Sequence, residues 1–219
     1  MKRSYKAEIM DDFSIQDERI DIALNELKII NKFLGGISTT KSALKYFVDS
    51  EKEEIKVLDI GSGSSDNLTA SNNKFLRLQI ISVDKNLRVL KSSDNTSEKI
   101  NSDAFELPFK DNSCDIVHLS LFLHHFTEDE IKKLLIEFLK IAKKGIIIND
   151  LQRSYLALIG IKLLTTLFSK SEMVKNDAPL SVKRGFSKSE LIKILSDAGI
   201  KNFIIRWKWA FRWMVVIKK

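Results

Sequence analysis

Apolar positions fall at two spacings along this chain, and the spacings alternate. From 17 to 34, Ile20, Ala23, Leu24, Leu27, Ile30 and Leu34 recur every three or four residues, one stripe of an amphipathic helix, and Gly35-Gly36 stand where such a helix stops. A shorter helix is expected from about 39 to 48, then a polar loop from Asp49 to Glu54. Ile55, Val57, Leu58 and Ile60 make a brief β-branched block, the pattern of a strand covered on both faces. Similar blocks follow at 78–84, near Ile100, at 115–121 and at 145–150. Helical segments fit between them at 66–75, at 86–91 and after Thr127, where a Thr127/Glu130 capping box opens a stripe from Ile131 to Ala142. Gly145 is expected to end that last helix. The 66–75 stretch is poor in helix formers, and a helix is placed there because parallel strands need a crossover.

The second half adds two features. Residues 155–168 are apolar but too short to cross a bilayer, which favours a cap helix over a pocket. The stretch 176–187 reads as a loop able to close that pocket. A Ser187/Glu190 capping box then opens a helix to Ala198, and 200–207 with 211–217 form a closing antiparallel pair. The expected architecture is α/β, with a mostly parallel sheet, a helical extension over 1–50 and a cap insertion over 151–186, all in one domain spanning 1–219.

Candidate chemistry gathers at the strand ends. Gly61-Ser62-Gly63 permits a tight turn and close backbone approach to a ligand, with Asp59 two residues before it. Asp66 stands where a dinucleotide fingerprint wants its third glycine, and no Lys-Ser or Lys-Thr completes a phosphate loop. Asp84 ends the second strand about 20 residues past the glycines, the position of a carboxylate that accepts ribose hydroxyls. Asp103-Ala104, just past the third strand, could receive an adenine amine. An ordinary strand-to-helix turn would explain the glycine motif alone, and a chance strand-end carboxylate would explain Asp84.

Together, VLDIGSGSSD, SVDKN and the run from Asp103 through Leu107-Pro108-Phe109, Asp111 and Asp115 to Leu123-His124-His125 resemble the Rossmann-like S-adenosylmethionine (SAM) dependent methyltransferases. They resemble in particular the small-molecule group that includes the ubiquinone and menaquinone enzymes. The resemblance implies a three-layer fold with seven strands in order 3-2-1-4-5-7-6, the last antiparallel. It implies SAM as cofactor, with S-adenosylhomocysteine as product. The cofactor contacts it implies are Asp59 at the methionine amino group, the backbone at Gly61 and Gly63, Asp84, Lys85, Asp103, Ala104, Leu119 and Ser120. Two departures are Cys114, where that group usually carries an aromatic, and Ser65 in place of a frequent third glycine. Residues 149–154, Leu163-Leu164-Thr165 and 177–182, with Met10-Asp11-Asp12 and Leu34-Gly35-Gly36, are similar to a narrower bacterial group associated with type III polyketide synthases.

On this reading the expected reaction is methyl transfer to a small apolar phenolic or polyketide-like acceptor, at oxygen. Quinone C-methylation is the alternative. His124 is the candidate base, with capping of the strand end as its other reading; His118 reads as a core residue. Asp11, His125, Asn149, Asp150 and Arg153 are candidate substrate contacts, and Asp12 could join them. No compact metal-ligand spacing is present, so no metal is expected. The net charge of +7 raises nucleic acid as a partner, but the basic residues are scattered and a solvated face accounts for them better. A lone cysteine and a basic start without an apolar core favour a cytoplasmic protein over a secreted one. The cap helix remains a candidate for peripheral membrane contact.

Overall fold

In the computed structural model, which describes residues 1–15, 17–48, 54–63, 65–72, 77–92 and 98–219, the β-branched blocks become strands of a single sheet. These are β1 (Glu54–Ile60), β2 (Arg77–Asp84), β3 (Glu98–Asn101), β4 (Cys114–Ser120), β5 (Ala142–Leu151), β6 (Phe203–Lys208) and β7 (Arg212–Lys218). Their order is β3-β2-β1-β4-β5-β7-β6, with β1 to β5 mutually parallel and β7 antiparallel to both of its neighbours. This is the expected Rossmann-like methyltransferase sheet. The strand order reverses between β1 and β4, which opens a crevice at their carboxyl ends.

Alternate residues of each strand feed opposite faces. Leu58 and Ile60 join Val117 and Leu119 beneath Leu134, Leu135 and Phe138 of α5 (Glu128–Ile141), beside α8 (Lys188–Asp197). Ile55 and Val57 face the other way, with Ile116, Met214 and Val216, against α2 (Gly36–Leu44). Helix α1 (Glu18–Phe33) precedes α2, and short helices α3 (Asp66–Thr69) and α4 (Leu87–Ser92) follow β1 and β2. After β5 come α6 (Tyr155–Phe168) and α7 (Glu172–Arg184).

Four expectations change. The stretch 176–187 is not a loop: most of it belongs to α7, even though Pro179 sits inside that helix. The Ser171 hydroxyl caps α7 by accepting from Val174 N at 3.3 Å, and Met173, Val174, Leu180 and Val182 are buried, so packing outweighs one lost amide donor. Gly145 does not end α5; it lies inside β5, where a Cβ would fall 1.9 Å from the Ile217 carbonyl oxygen of β7. The second helix starts at Gly36 rather than 39, and the helix expected over 66–75 is assigned only to Thr69. The loop at 49–53, residues 73–76 and the polar loop at 93–97 lie outside the described residues.

A buried arginine joins the helical extension to the sheet. Arg212 donates to Leu34 O at 2.8 Å, to Asn31 Oδ1 at 2.7 Å and to Asn149 Oδ1 at 3.1 Å, tying α1 to β7 and β5. Burial pushes its pKa down to about 10, so it remains charged at neutral pH. An Arg212→Met substitution strips these acceptors of their donor and is expected to cost about 3 kcal/mol in urea unfolding. A loss under about 1 kcal/mol would mean that water replaces the guanidinium.

Candidate active site

At the crevice the backbone turns sharply after β1. Gly61 (φ +62°) and Gly63 (φ +54°) both occupy the left-handed region. A Cβ on Gly61 would stand 2.1 Å from the Phe122 ring, whereas one on Gly63 would meet nothing within 4 Å. The first glycine therefore lets an aromatic ring close over the turn, and the second leaves backbone open to a ligand. Asp84, at the end of β2, accepts from Gly63 N at 3.0 Å and from Asn86 N at 2.8 Å. Each oxygen retains a further lone pair, the requirement for receiving a diol. Burial raises the Asp84 pKa above the usual carboxylate range.

Farther along the same edge, Lys85 Nζ and Asp103 Oδ2 pair at 2.8 Å, with Ala104 and Phe105 beside them on the wall. Asp59 is buried and receives His118 Nδ1 at 2.7 Å, and His118 Nε2 meets the Thr40 hydroxyl at 3.1 Å. Asn67 donates to Ser120 Oγ at 2.8 Å, while its own Oδ1 is buried without a hydrogen-bond partner. The cavity that joins these groups measures about 600 Å³, within the roughly 300–1,000 Å³ of small-molecule sites. An open glycine backbone, a buried diol acceptor and an orphaned amide oxygen fit the ribose and amino-acid ends of SAM.

The opposite wall comes from the two ends of the chain order. Residues 3–11 run beneath α7, where Asp177 accepts from Ile9 N at 2.8 Å and Met10 N at 3.0 Å. This places Glu8 and Asp11 against His124 and His125, which follow β4 in a single helical turn. His124 is fully enclosed, with Nδ1 at 2.7 Å from Asp150 Oδ1 and Nε2 at 3.6 Å from Glu8 Oε1. Burial disfavours its charge, but the two carboxylates prevail and raise its pKa to about 9. His125 is half-buried, donates from Nδ1 to Asp11 Oδ1 at 2.6 Å and lies over the His124 ring at 4.3 Å.

Arg184, from the last turn of α7, fastens this corner. It bonds Asp11 Oδ2 (2.7 Å), Lys6 O (3.1 Å), His124 O (3.1 Å) and His125 O (2.8 Å). Glu8, His124 and His125 present donor atoms within 4.8 Å of one another. The two imidazole planes are 33° apart with one ring over the other, and His124 is already engaged by Asp150 at Nδ1 and by Glu8 at Nε2. That geometry suits hydrogen bonding to one ligand group better than closure on a metal ion.

Among the sequence candidates, Asp59, Gly61, Gly63, Asp84, Lys85, Asp103, Ala104, Ser120, Asp11, His124 and His125 all line this cavity. Five do not. Leu119 is core. Asn149 is spent on Gly36 O, Thr40 Oγ1 and Arg212. Asp150 lies behind His124 and acts on the cavity only through it. Arg153 faces away, bonding Met1 O, Gly185 O and Glu190. Asp12 merely turns back on Ser14. Sequence reading missed Glu8, Asn67 and Arg184. Glu8 lies in a segment without periodicity, and Arg184 in the stretch mistaken for a loop; the Ser171 cap was the one local signal for α7.

Residues 58–148 match a protein family described as "Methyltransferase domain". No curated protein matches the chain in sequence. Among solved structures, a SAM-dependent methyltransferase from Aquifex aeolicus aligns with a TM-score of 0.56 at 20% identity, over 82% of this chain and 88% of that one. Another, from Archaeoglobus fulgidus, aligns with a TM-score of 0.59 at 19% identity, over 86% and 97% of the two chains. At those identities the structures speak for the fold, and the matched domain speaks for the chemistry.

Two measurements check the site. Asp84→Ala should weaken S-adenosylhomocysteine binding at least about tenfold by calorimetry, and unchanged affinity would remove Asp84 from the site. His124 has a folded pKa near 9 against about 6.5 unfolded, so its stabilisation is complete below about pH 6.5 and fades as pH rises through 9. The stability difference between wild type and His124→Asn in urea should therefore shrink by on the order of 3 kcal/mol between about pH 6 and about pH 10. A pH-independent difference would contradict the ion triad.

Residues 58–148 match a methyltransferase domain, and the sheet order and a cavity fitted to the cofactor agree with SAM-dependent methyl transfer as the chemistry.

Proposed function

We propose that the acceptor is a small, mostly apolar molecule of phenolic or polyketide-like kind, methylated at oxygen. The observation that carries this reading is the cavity's asymmetry. Away from the strand ends its lining includes the apolar and aromatic side chains of Met10, Leu24, Leu27 and Phe126, with a polar corner at Glu8, Asp11, His124 and His125. SAM supplies an electrophilic methyl group on a cationic sulfur. The protein's part is to orient the acceptor oxygen, remove its proton and keep water out.

The proton acceptor we assign is His125 rather than His124. His124 is held protonated at neutral pH between Asp150 and Glu8, so it has no free lone pair to offer. At His125, Asp11 fixes the proton on Nδ1, and Nε2 has no protein partner among the described residues. An Nε2 lone pair oriented through a carboxylate at Nδ1 is the arrangement of a general base. Protonated His124 and Arg184 then favour the acceptor as an oxyanion. Phe122, pressed on Gly61 and 4.8 Å from the Phe126 ring, covers the junction between the two halves.

Residues 1–219 work on this reading as one domain, in which 1–50 contribute Glu8 and Asp11 and 151–186 contribute Arg184. The single cysteine, Cys114, is buried with its pKa pushed up to about 12, which leaves it an inert part of the core. No helix among the described residues is long and apolar enough to cross a membrane.

His125→Ala should lower kcat on a phenolic acceptor by roughly 100-fold or more while leaving S-adenosylhomocysteine affinity within about twofold. An unchanged kcat would remove His125 as the base. Nuclear magnetic resonance of the product identifies the methylated atom, and a carbon-bound methyl would overturn the O-methylation reading.

A further inference from the structure

One face of α6 has no partner among the described residues. Tyr155, Leu156, Ile159, Leu163 and Leu167 lie within about a third of the helix circumference, and each is 60–70% exposed. The opposite face is ordinary core: Ala157 and Ile161 pack against Val182 of α7, with Leu34 and Phe211 completing the cluster. That cluster brings in further exposed aromatics. Phe33 precedes Leu34, and Trp209 precedes Ala210, whose amide donates to Leu34 O at 3.2 Å; Phe33 is 71% and Trp209 65% exposed. Five large apolar side chains exposed on one helix face are unusual on a protein that meets only water.

Beside the α6 face runs a groove of about 430 Å³ walled by Lys6, Lys162, Lys175 and Lys183. Lys162 belongs to α6 itself, one residue from Leu163. Of these four, only Lys175 is ion-paired among the described residues, to Glu172 at 2.8 Å. A two-fold pairing through this face would set like-charged grooves close together, which opposes a second copy as the occupant. An anionic bilayer answers both features at once. Its acyl boundary takes leucine, isoleucine and aromatic side chains, and its headgroup phosphates take the lysines.

We infer that the protein docks on anionic lipid surfaces through α6, lying in the plane of the interface with the lysine groove against headgroup phosphates. The inference does not depend on the identity of the acceptor. It does place α6, which packs on α7, at the lipid boundary.

The test is flotation of the full chain with phosphatidylcholine vesicles, with and without phosphatidylglycerol, at low and high salt. Binding should require phosphatidylglycerol and weaken with salt. Ile159→Glu/Leu163→Glu should reduce it by roughly 100-fold, since two apolar anchors are lost. Lys162→Gln/Lys183→Gln should weaken it by about fivefold for each lysine. Both variants change exposed or half-exposed positions outside the cavity, so unchanged melting and S-adenosylhomocysteine affinity confirm that they are folded. Absence of vesicle binding by wild type, or equal binding by wild type and the glutamate variant, would overturn the inference. A wild-type dimer that dissociates in the glutamate variant, without vesicle binding, would give the face to a second copy instead.

Discussion

A carboxylate removed from water must be answered by the protein around it, and several meet that condition at the carboxyl edge of this sheet. Asp59 is answered by His118, which leads through Thr40 and Asn149 to Arg212, so one buried hydrogen-bonded chain pins α1 and α2 to β1, β4, β5 and β7. Asp84 is answered by the amides of Gly63 and Asn86, which sets the shape of the glycine turn. Asp150 is answered by His124, and Glu8 by His124 and Ser181. The pocket is largely the surface of these solved electrostatic problems.

The two halves of the pocket solve them with different parts. Strand ends hold the cofactor side, where positions follow from sheet register: Asp59 pairs with His118 across β1 and β4, and with Ser82 across β1 and β2. The acceptor side has no strand of its own beyond the turn after β4. It is assembled from an N-terminal segment and α7, joined by Arg184, whose guanidinium reaches Asp11 and three backbone carbonyls. Removing that single group would leave several acceptors facing one another without a donor.

This division also explains what could be read from the sequence. Strands and their end-of-strand aspartates have local signatures: a β-branched block, a glycine turn, a carboxylate at fixed spacing. Gly61, Asp84 and Asp103 were legible for that reason. The acceptor wall has none. Glu8 matters because a chain segment 116 residues from His124 in sequence folds back on it, and no periodicity announces that contact. Asn149 and Asp150 misled for the opposite reason: their strand position was correct, but α2 and Arg212 had already consumed the side chain of one and His124 that of the other. The helix at 172–184 was hidden by Pro179, whose local cost is overridden by packing that only the tertiary structure reveals.

The placement of Arg184 on a helix outside the sheet has a consequence for how such a protein can diversify. Donor recognition is written into strand ends that the whole core constrains, and alteration there threatens folding. On the proposed reading, acceptor recognition falls to about a dozen N-terminal residues and one helix, clasped together by Arg184. Lineages built on this plan can therefore explore new acceptors by exchanging two peripheral segments while inheriting the methyl-donor half intact.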